Sequence, residues 1–294
     1  MVRIAITGNC QARPLAEAIR RIGINTEITS TIIVHLVQDE DEALHAENLR
    51  SSDLIFAQRV TDGYPCKFVR LSALRAKYPG KVLSFPNLYC SSYNPELTYV
   101  RTSGKRPLAG PFGDYHIKTL HDAFLKGSSV DNAVQSHLDP DYNEAVYGLA
   151  VEKSLEELRQ RELDTDIQIS EWIQQHLWMQ RLFFTFNHPS YRLICELACR
   201  LLVSAAIPML TPAQCPSVQN EPLGRYRCQP NAWIRRQHGF SFSNEPDYIG
   251  SAIHFEKDGN HKPGEIQHYS TQEIAECYFL IYDRFLNKLH SSNP

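Results

Sequence analysis

A cysteine follows the segment that the sequence predicts to be the first strand, within Gly8-Asn9-Cys10-Gln11. Val2 to Thr7 is a short β-branched run, and residues 14 to 22 carry apolar side chains at helical spacing. The thiol therefore falls in the turn between a strand and a helix. Backbone N–H groups and the positive end of the helix dipole favour a thiolate at such a turn. We expect Cys10 to be a nucleophile, and the alternative is a small side chain packed in the turn.

An imidazole stands at a second predicted turn, after the apolar segment from Leu182 to Phe186. This segment predicts a fifth strand, and Pro189 suits the first position of the helix that follows. His188 would then lie at a helix N-terminus, whose field keeps the ring a neutral base. A thiol with a nearby base is the minimum apparatus for acyl transfer, and Asn or Gln amides could bind the developing oxyanion. The alternative is that the turn around His188 is only a helix cap.

Alternating strands and helices must position these groups. Further strands are predicted at Ile28 to Val37, Asp53 to Ala57 and Lys81 to Phe85, with helical segments between them. The alternation predicts an α/β fold, a parallel sheet flanked by helices in three layers. Ligands bind beyond the carboxyl ends of strands in such sheets. The polar residues just past the predicted strands should therefore share one edge: Gln11, Gln58, Arg59, Asn87 and Asn187.

The rest of the chain predicts additions to this sheet within a single α/β domain. Residues 94 to 116 are rich in Pro and Gly and predict a long irregular loop. Ten acidic and three basic residues lie between Asp139 and Glu171, which is typical of a solvated helical insertion, a cap or a lid. Ser270 and Glu273 form a capping-box pattern before the last helix. The domain over 1–294 divides into a sheet core (1–116 and 183–205), a helical insertion (117–182) and a C-terminal extension (206–294) that ends in an amphipathic helix.

Composition excludes several classes of protein. The chain has 294 residues, 43% of them hydrophobic, and a formal net charge of -3. A disordered chain and a protein whose whole surface binds nucleic acid are therefore excluded. We expect a cytoplasmic protein without stable membrane insertion, because no apolar run approaches the roughly 18 residues of a membrane span and no secretory signal opens the chain. Whether it forms a homo-oligomer stays open.

The cysteines show no C-x-x-C pair, so reduced thiols are expected. Cys195 and Cys199 are four residues apart on one predicted helix face, where burial is favoured over metal binding. The other cysteines are Cys66, Cys90, Cys215, Cys228 and Cys277. Although His116 and His121 lie near acidic residues, their spacing matches no metal motif, and no metal is expected.

A local excess of positive charge lies between Gln58 and Arg106, where nine side chains are basic and two are acidic. Phosphates of a nucleotide-like cofactor would explain it, and Arg59 and Lys67 are the least well explained by a solvated helix face. The nine are Arg59, Lys67, Arg70, Arg75, Lys77, Lys81, Arg101, Lys105 and Arg106. The motifs of Rossmann NAD enzymes, P-loop NTPases, common α/β-hydrolases and zincins are missing.

Four segments carry a family resemblance, and they are Gly8-Asn9-Cys10-Gln11, Ser84-Phe85-Pro86-Asn87-Leu88-Tyr89, Gly113-Asp114-Tyr115-His116 and Phe186-Asn187-His188-Pro189-Ser190. Together, over about residues 1 to 205, they resemble the ordered motifs of the WcbI family of polysaccharide biosynthesis enzymes. The resemblance implies an α/β acetyltransferase that binds coenzyme A or acetyl-CoA. The first segment is also similar to the nucleophile block of the SGNH superfamily, with cysteine in place of serine.

The resemblance implies roles for individual residues. Cys10 matches the nucleophile and His188 the base. Thr185 stands where that superfamily carries an acidic residue, so either Asp114 substitutes or the pair acts as a dyad. The implied oxyanion or substrate contacts are Gln11, Gln58, Asn87, Asn187, Asp114 and His116. The predicted contacts for the phosphates of CoA are Arg13, Arg59, Lys67 and Arg70.

The function expected from this resemblance is O-acetylation of a sugar in a capsular or other surface polysaccharide, or its precursor, with acetyl-CoA as donor. Direct transfer without an acyl-cysteine stays open. The alternatives are an SGNH-type esterase, which would use the same residues with water as acceptor, and a non-catalytic carbohydrate-binding or assembly module.

Overall fold

Four short apolar segments near the start of the chain form the strands of a parallel sheet. They are β1 (Val2–Gly8), β2 (Thr26–Ile33), β3 (Leu54–Gln58) and β4 (Val82–Phe85). Their order in the sheet is β2-β1-β3-β4, and each neighbouring pair is parallel. The predicted α/β fold, a parallel sheet flanked by helices, is confirmed.

The computed structural model describes residues 1–102, 106–210, 221–242, 248–256 and 260–285. Lys105 of the basic stretch and Cys215 lie outside the described residues. The chain divides into two compact units, each built from separate stretches of sequence. The first comprises Met1–Tyr89, Leu155–Leu177 and His188–Leu223, and the second comprises Cys90–Ser154, Trp178–Asn187 and Gly224–Pro294.

The described helices agree with the predicted alternation and with the predicted helical character of residues 117 to 182. They are α1 (Ala12–Ile22), α2 (Glu42–Ser51), α3 (Leu71–Lys77), α4 (Lys118–Leu125), α5 (Val130–Leu138), α6 (Pro140–Tyr147), α7 (Ala150–Glu162), α8 (Ser170–His176), α9 (Tyr191–Ser204), α10 (Ala232–Gln237) and α11 (Thr271–Phe285). The remaining strands are β5 (Leu97–Tyr99), β6 (Tyr115–Ile117), β7 (Phe183–Thr185), β8 (His188–Pro189), β9 (Tyr248–Phe255) and β10 (His261–Tyr269).

Apolar side chains on α2 and α3 cover one face of the sheet. Leu49 of α2 and Leu71 of α3 share a buried cluster with Ala5 and Ile55 of the strands. The predicted apolar stripe of α1 is buried as well, and α1 packs against α9. Cys195 and Cys199 are buried in α9 as predicted. Packing on these faces stabilises the sheet, and its carboxyl edge is left for the connecting loops.

The strand order places the site. The chain runs from β1 to β2 on one side of the sheet and then returns to β3 on the other side of β1. This reversal between β1 and β3 is a topological switch point, the position beside which ligands commonly bind in open parallel sheets. The loop after β1 contains Cys10, and the loop after β3 begins at Arg59. Two of the loops that carry predicted site residues therefore leave the sheet on either side of the switch point.

Three predictions about individual elements differ from the structure. The fifth strand, predicted over Leu182 to Phe186, is formed as β7 (Phe183–Thr185) but lies outside the four-stranded sheet. Pro189 does not open a helix, because α9 begins at Tyr191 with Ser190 as its N-cap, whose side chain accepts from the Leu193 N–H. The loop predicted over residues 94 to 116 contains β5 and the start of β6, which pair antiparallel. Apolar runs alone do not reveal which sheet a strand joins.

The C-terminal helix of the second unit begins as the sequence predicts. Ser270 N–H and Oγ donate to the Glu273 carboxylate at 2.8 Å, and Glu273 N–H donates back to Ser270 Oγ at 3.3 Å. Its inner face buries Ile274, Tyr278 and Ile281, whereas Leu289 lies outside the described residues. Among the described helices, none has the length and apolar character needed to cross a membrane.

Candidate active site

Two buried glutamines hold the turn that carries Cys10. The Asn9 N–H donates to Gln58 Oε1 at 2.8 Å, and Gln58 Nε2 donates to Gln11 Oε1 at 2.9 Å. Gln11 Nε2 donates in turn to the Leu88 carbonyl at 2.8 Å. Because Gln11 and Gln58 are each only 1% exposed, these bonds are strong local constraints. They tie the loops after β1, β3 and β4 together across the switch point.

Gly8 is required for this close approach. A Cβ built at Gly8 would lie 3.2 Å from both the Cβ and the Oε1 of Gln58. That distance is tighter than ordinary van der Waals contact, so a larger residue would push the glutamine away from the Asn9 N–H. The lack of a side chain at Gly8 therefore allows the Gln58 side chain of β3 to lie against the end of β1.

Cys10 is half-buried and lines a cavity of about 450 Å³ in the first unit. The lining residues are Cys10, Arg13, Pro14, Glu17, Ile33, His35, Leu36, Pro222 and Leu223. The walls are mostly apolar, with Arg13, Glu17 and His35 as the ionisable groups beside the thiol. A cavity of this size can hold the arm of a small cofactor.

His35 is the functional candidate that the sequence analysis missed. The apolar run from Ile28 to Val37 predicts a continuous strand, but β2 ends at Ile33 and residues Val34–Leu36 form a 3-10 turn. This turn brings His35 to the carboxyl edge of the sheet, where it is exposed. A polar residue within the end of an apolar run was the signal that could have identified it.

The predicted thiolate at Cys10 was wrong for the free protein. Burial raises the pKa of the Cys10 thiol, and the backbone N–H groups of Cys10 and Gln11 lower it by less. Cys10 is therefore a protonated thiol at neutral pH and needs a base to become a nucleophile.

His188 lies in the first unit as a neutral ring, as predicted, but for a different reason. Burial lowers the pKa of His188 to about 4. The predicted cause was a helix N-terminus, yet His188 lies in β8, three residues before α9. Within the described part of the chain, the residues that line the Cys10 cavity do not include His188.

The other predicted contacts divide between the two units. In the first, Asn87 Nδ2 donates to the Arg59 carbonyl at 3.3 Å. In the second, Asn187 Oδ1 accepts from the Tyr115 hydroxyl at 2.7 Å and from the Thr185 hydroxyl at 3.2 Å. Asp114 is exposed in that unit.

The prediction that His116 contacts substrate was wrong. His116 is 0% exposed, with Nδ1 bonded to the Tyr282 hydroxyl at 2.8 Å and Nε2 to the Leu108 carbonyl at 2.7 Å. Both ring nitrogens are therefore used in packing α11 against the loop before β6. Among the described residues, no group of three or more His, Cys, Asp or Glu side chains could hold a metal ion.

Carboxylates and carbonyls from the same unit account for much of the basic stretch. Arg59 Nε pairs with Asp164 at 2.5 Å, and Arg70 Nε donates to the Tyr64 carbonyl at 2.8 Å. Arg59 also lines a separate cavity of about 280 Å³ with Asp164. Lys67 is exposed. Of the four predicted phosphate contacts, Arg13 is the one that lines the Cys10 cavity.

The burial of His116 has a consequence for stability. Burial lowers the pKa of His116 from 6.5 to about 4. Below pH 6.5 this histidine binds a proton in the unfolded chain, whereas the buried ring of the folded protein stays neutral. The free energy of unfolding therefore falls as pH falls from 6.5 toward 4. We expect His116→Gln to lose less stability than the wild type between pH 7 and pH 5, by about 2 kcal/mol.

Urea denaturation at the two pH values measures this difference. The control is His254→Gln, because the side chain of His254 is 53% exposed and its loss should leave the pH dependence close to the wild type. If the free energy of unfolding fell by the same amount between pH 7 and pH 5 in His116→Gln and in the wild type, the prediction would be contradicted.

The fold and the site together define an open-sheet α/β protein with a thiol at the carboxyl edge of its sheet. A family model described as the polysaccharide biosynthesis enzyme WcbI matches residues 3–209, more than half of the chain. The chain therefore belongs to the WcbI family of polysaccharide biosynthesis enzymes, and the resemblance predicted from its motifs is confirmed.

A solved structure of WcbI is similar in fold. It is described as native protein without a disulfide bond between coenzyme A and one of its cysteines. The TM-score is 0.72 at 19% sequence identity, covering 97% of this chain and 90% of that chain. At this identity the likeness shows the fold alone. Among curated proteins there is no match.

Proposed function

We propose that this enzyme transfers an acetyl group from acetyl-CoA to a sugar hydroxyl of a capsular or other surface polysaccharide, or of its precursor. The observation that carries the proposal is the opening of the Cys10 thiol into a largely apolar cavity of about 450 Å³. Membership of a family of polysaccharide biosynthesis enzymes supports the sugar acceptor. The similar WcbI structure, whose description mentions coenzyme A and a cysteine, supports the donor.

The shape and lining of the cavity suit the arm of CoA. Ile33, Leu36 and Leu223 provide apolar contacts, and Arg13 adds a guanidinium on the first turn of α1. A guanidinium binds phosphate oxygens through paired N–H donors. We therefore propose Arg13 as the first phosphate contact, and Arg59, Lys67 and Arg70 stay predictions.

The proposed reaction proceeds in two steps. In the first, Cys10 loses its proton to a base, its sulfur bonds to the acetyl carbonyl carbon, and the bond from that carbon to the CoA sulfur breaks. CoA leaves as a thiol after taking up a proton. In the second, a sugar hydroxyl attacks the acetyl-cysteine, and the Cys10 sulfur leaves and is reprotonated. The products are CoA and an O-acetyl sugar.

His188 is proposed as the base for the sugar hydroxyl. A ring whose pKa is lowered to about 4 is neutral at pH 7 and can accept a proton. Asn87 and the Cys10 backbone N–H are the proposed oxyanion donors. Gln11 and Gln58 are proposed to act through the turn, as positioning residues, because their amide groups bond to each other and to the backbone.

The role of Arg13 gives a test of donor binding. We expect Arg13→Ala to weaken CoA binding by about tenfold, the size of one charge-assisted hydrogen bond to phosphate. Pantetheine, which lacks the phosphates, should bind both proteins equally. Isothermal titration calorimetry at low salt measures both affinities, and Arg50→Ala, which removes a 70% exposed arginine on α2, is the control.

CoA binding and an assay for hydrolysis of acetylated sugars together distinguish the transferase from the esterase. Failure of the wild-type protein to bind CoA at millimolar concentration would refute the proposed donor. Hydrolysis of acetylated sugars without CoA would identify the SGNH-type esterase instead. Equal CoA affinity of Arg13→Ala and the wild type would refute the proposed phosphate contact.

A further inference from the structure

We infer that His35 is a second catalytic imidazole, the group that exchanges a proton with the Cys10 thiol, while His188 serves the sugar hydroxyl. The inference rests on the proposed function, because it assigns a residue to the first of its two steps. It starts from the cavity, since His35 and Cys10 both line it.

Strand register places the two groups together. β1 and β2 are parallel neighbours, and Gly8 at the end of β1 is opposite Ile33 at the end of β2. Cys10 and His35 each follow two residues later. Adjacent strands lie about 4.8 Å apart, so the two residues follow neighbouring positions at the same edge of the sheet, and both line the cavity.

The surroundings leave the ring available for proton transfer. Within the described ranges, no residue forms a hydrogen bond or an ion pair with His35. The other ionisable groups of the cavity, Arg13 and Glu17, belong to α1. Glu17 is engaged by Arg21 at 2.7 Å and by Arg20 at 3.9 Å. Burial keeps the thiol protonated, and among the described residues that line its cavity His35 is the one imidazole.

The proton balance of the first step is complete with this residue. The His35 ring takes the proton from the Cys10 sulfur as the S–C bond to the acetyl group forms. The ring then gives that proton to the CoA sulfur as the old C–S bond breaks. His35 ends the step with the same number of protons as it began, and the enzyme retains one acetyl group on Cys10.

The rate of Cys10 alkylation tests the pairing without any substrate. The protein is treated with iodoacetamide between pH 5 and pH 9, and the peptide that contains Cys10 is quantified by mass spectrometry. An imidazole that accepts the thiol proton raises the thiolate fraction, so His35→Gln should slow alkylation at pH 7 by about tenfold and move the profile to higher pH. His45→Gln, a half-buried histidine on α2, is the matched control.

One further variant and one folding control sharpen this test. Glu17→Gln removes the other group of the cavity that could act on the thiol proton, and the inference expects a smaller change than in His35→Gln. Circular dichroism melting verifies that His35→Gln is folded, which its exposed position favours. Superposition of the His35→Gln and wild-type profiles would overturn the inference, and so would a larger effect of Glu17→Gln.

The two half-reactions separate the two histidines. On rapid quench with acetyl-CoA, His35→Gln should form acetyl-Cys10 about tenfold more slowly, the same loss of thiolate as in alkylation. His188→Gln should form it normally and accumulate it in the presence of the acceptor. Normal acetylation of Cys10 in His35→Gln would refute the role of His35 and leave the proposed function intact. Absence of CoA binding by the wild type would refute the proposed function, whereas the alkylation profile would still decide the pairing.

Discussion

Replacing Cys10 by alanine is expected to reduce acetyl transfer from acetyl-CoA by at least about 10³-fold, the loss typical of removing a covalent nucleophile. The Cys10 sulfur accepts the acetyl group in the proposed first step, and no other described cysteine lines the cavity. CoA binding should change little, because Arg13 and the apolar walls are left in place. Turnover is followed by release of free CoA thiol, and binding is followed by calorimetry.

Cys277→Ala is the matched control for this substitution. Cys277 is also half-buried, but it lies on α11 in the second unit. Its loss should leave turnover unchanged. Wild-type protein quenched during turnover should carry one acetyl group on Cys10, and Cys10→Ala should carry none. More than a tenth of wild-type activity in Cys10→Ala would instead support direct transfer from acetyl-CoA to the sugar.

Replacing Gln58 by methionine is expected to have the second largest effect. The half-buried Asn9 N–H would lose its bond to Gln58 Oε1, whereas Gln11 Oε1 would lose the bond from Gln58 Nε2 but keep the one from the Leu88 N–H at 3.3 Å. Unfolding free energy should fall by about 1 to 3 kcal/mol, the cost of one N–H group left without a partner together with the lost bond between the glutamines. We also expect turnover to fall by about 10- to 100-fold, since small displacements of a nucleophile are costly.

Methionine is close in size to glutamine, so this substitution tests hydrogen bonding with little change in volume. Gln135→Met changes an exposed glutamine of α5 and should be neutral for both stability and turnover. Urea denaturation and steady-state kinetics measure the two effects. If Gln58→Met kept wild-type turnover, the glutamine pair would have no role in positioning Cys10.

The third hypothesis, a non-catalytic carbohydrate module, makes the opposite prediction in a cell. Cys10→Ala would leave the polymer of a polysaccharide-producing cell unchanged. The transferase predicts a polymer deficient in O-acetyl groups. Analysis of the purified polysaccharide for acetyl content distinguishes these outcomes directly.

The sequence by itself determined local structure, at the turn that carries Cys10 and at the start of the last helix. The turn between β1 and α1, the capping box at Ser270 and Glu273, and the family motifs are all contained in short contiguous stretches. Hydrophobic period and cap chemistry act over one or two turns of chain, so a single sequence carries them. The position of Cys10 in a turn between a strand and a helix could therefore be predicted before any tertiary contact was known.

Only the tertiary structure decided which of these stretches meet. It placed β1 between β2 and β3, brought His35 to the cavity of Cys10, and left β7 outside the sheet. It also buried His116 against Tyr282, which is 166 residues away in the chain. Strand order and long-range packing depend on how the apolar faces of whole strands and helices fit together. The hydrophobic period of one strand or helix does not specify which other element its apolar face will contact. Burial follows from that fit as well, which is why the pKa of Cys10 is raised where its turn alone predicts a thiolate.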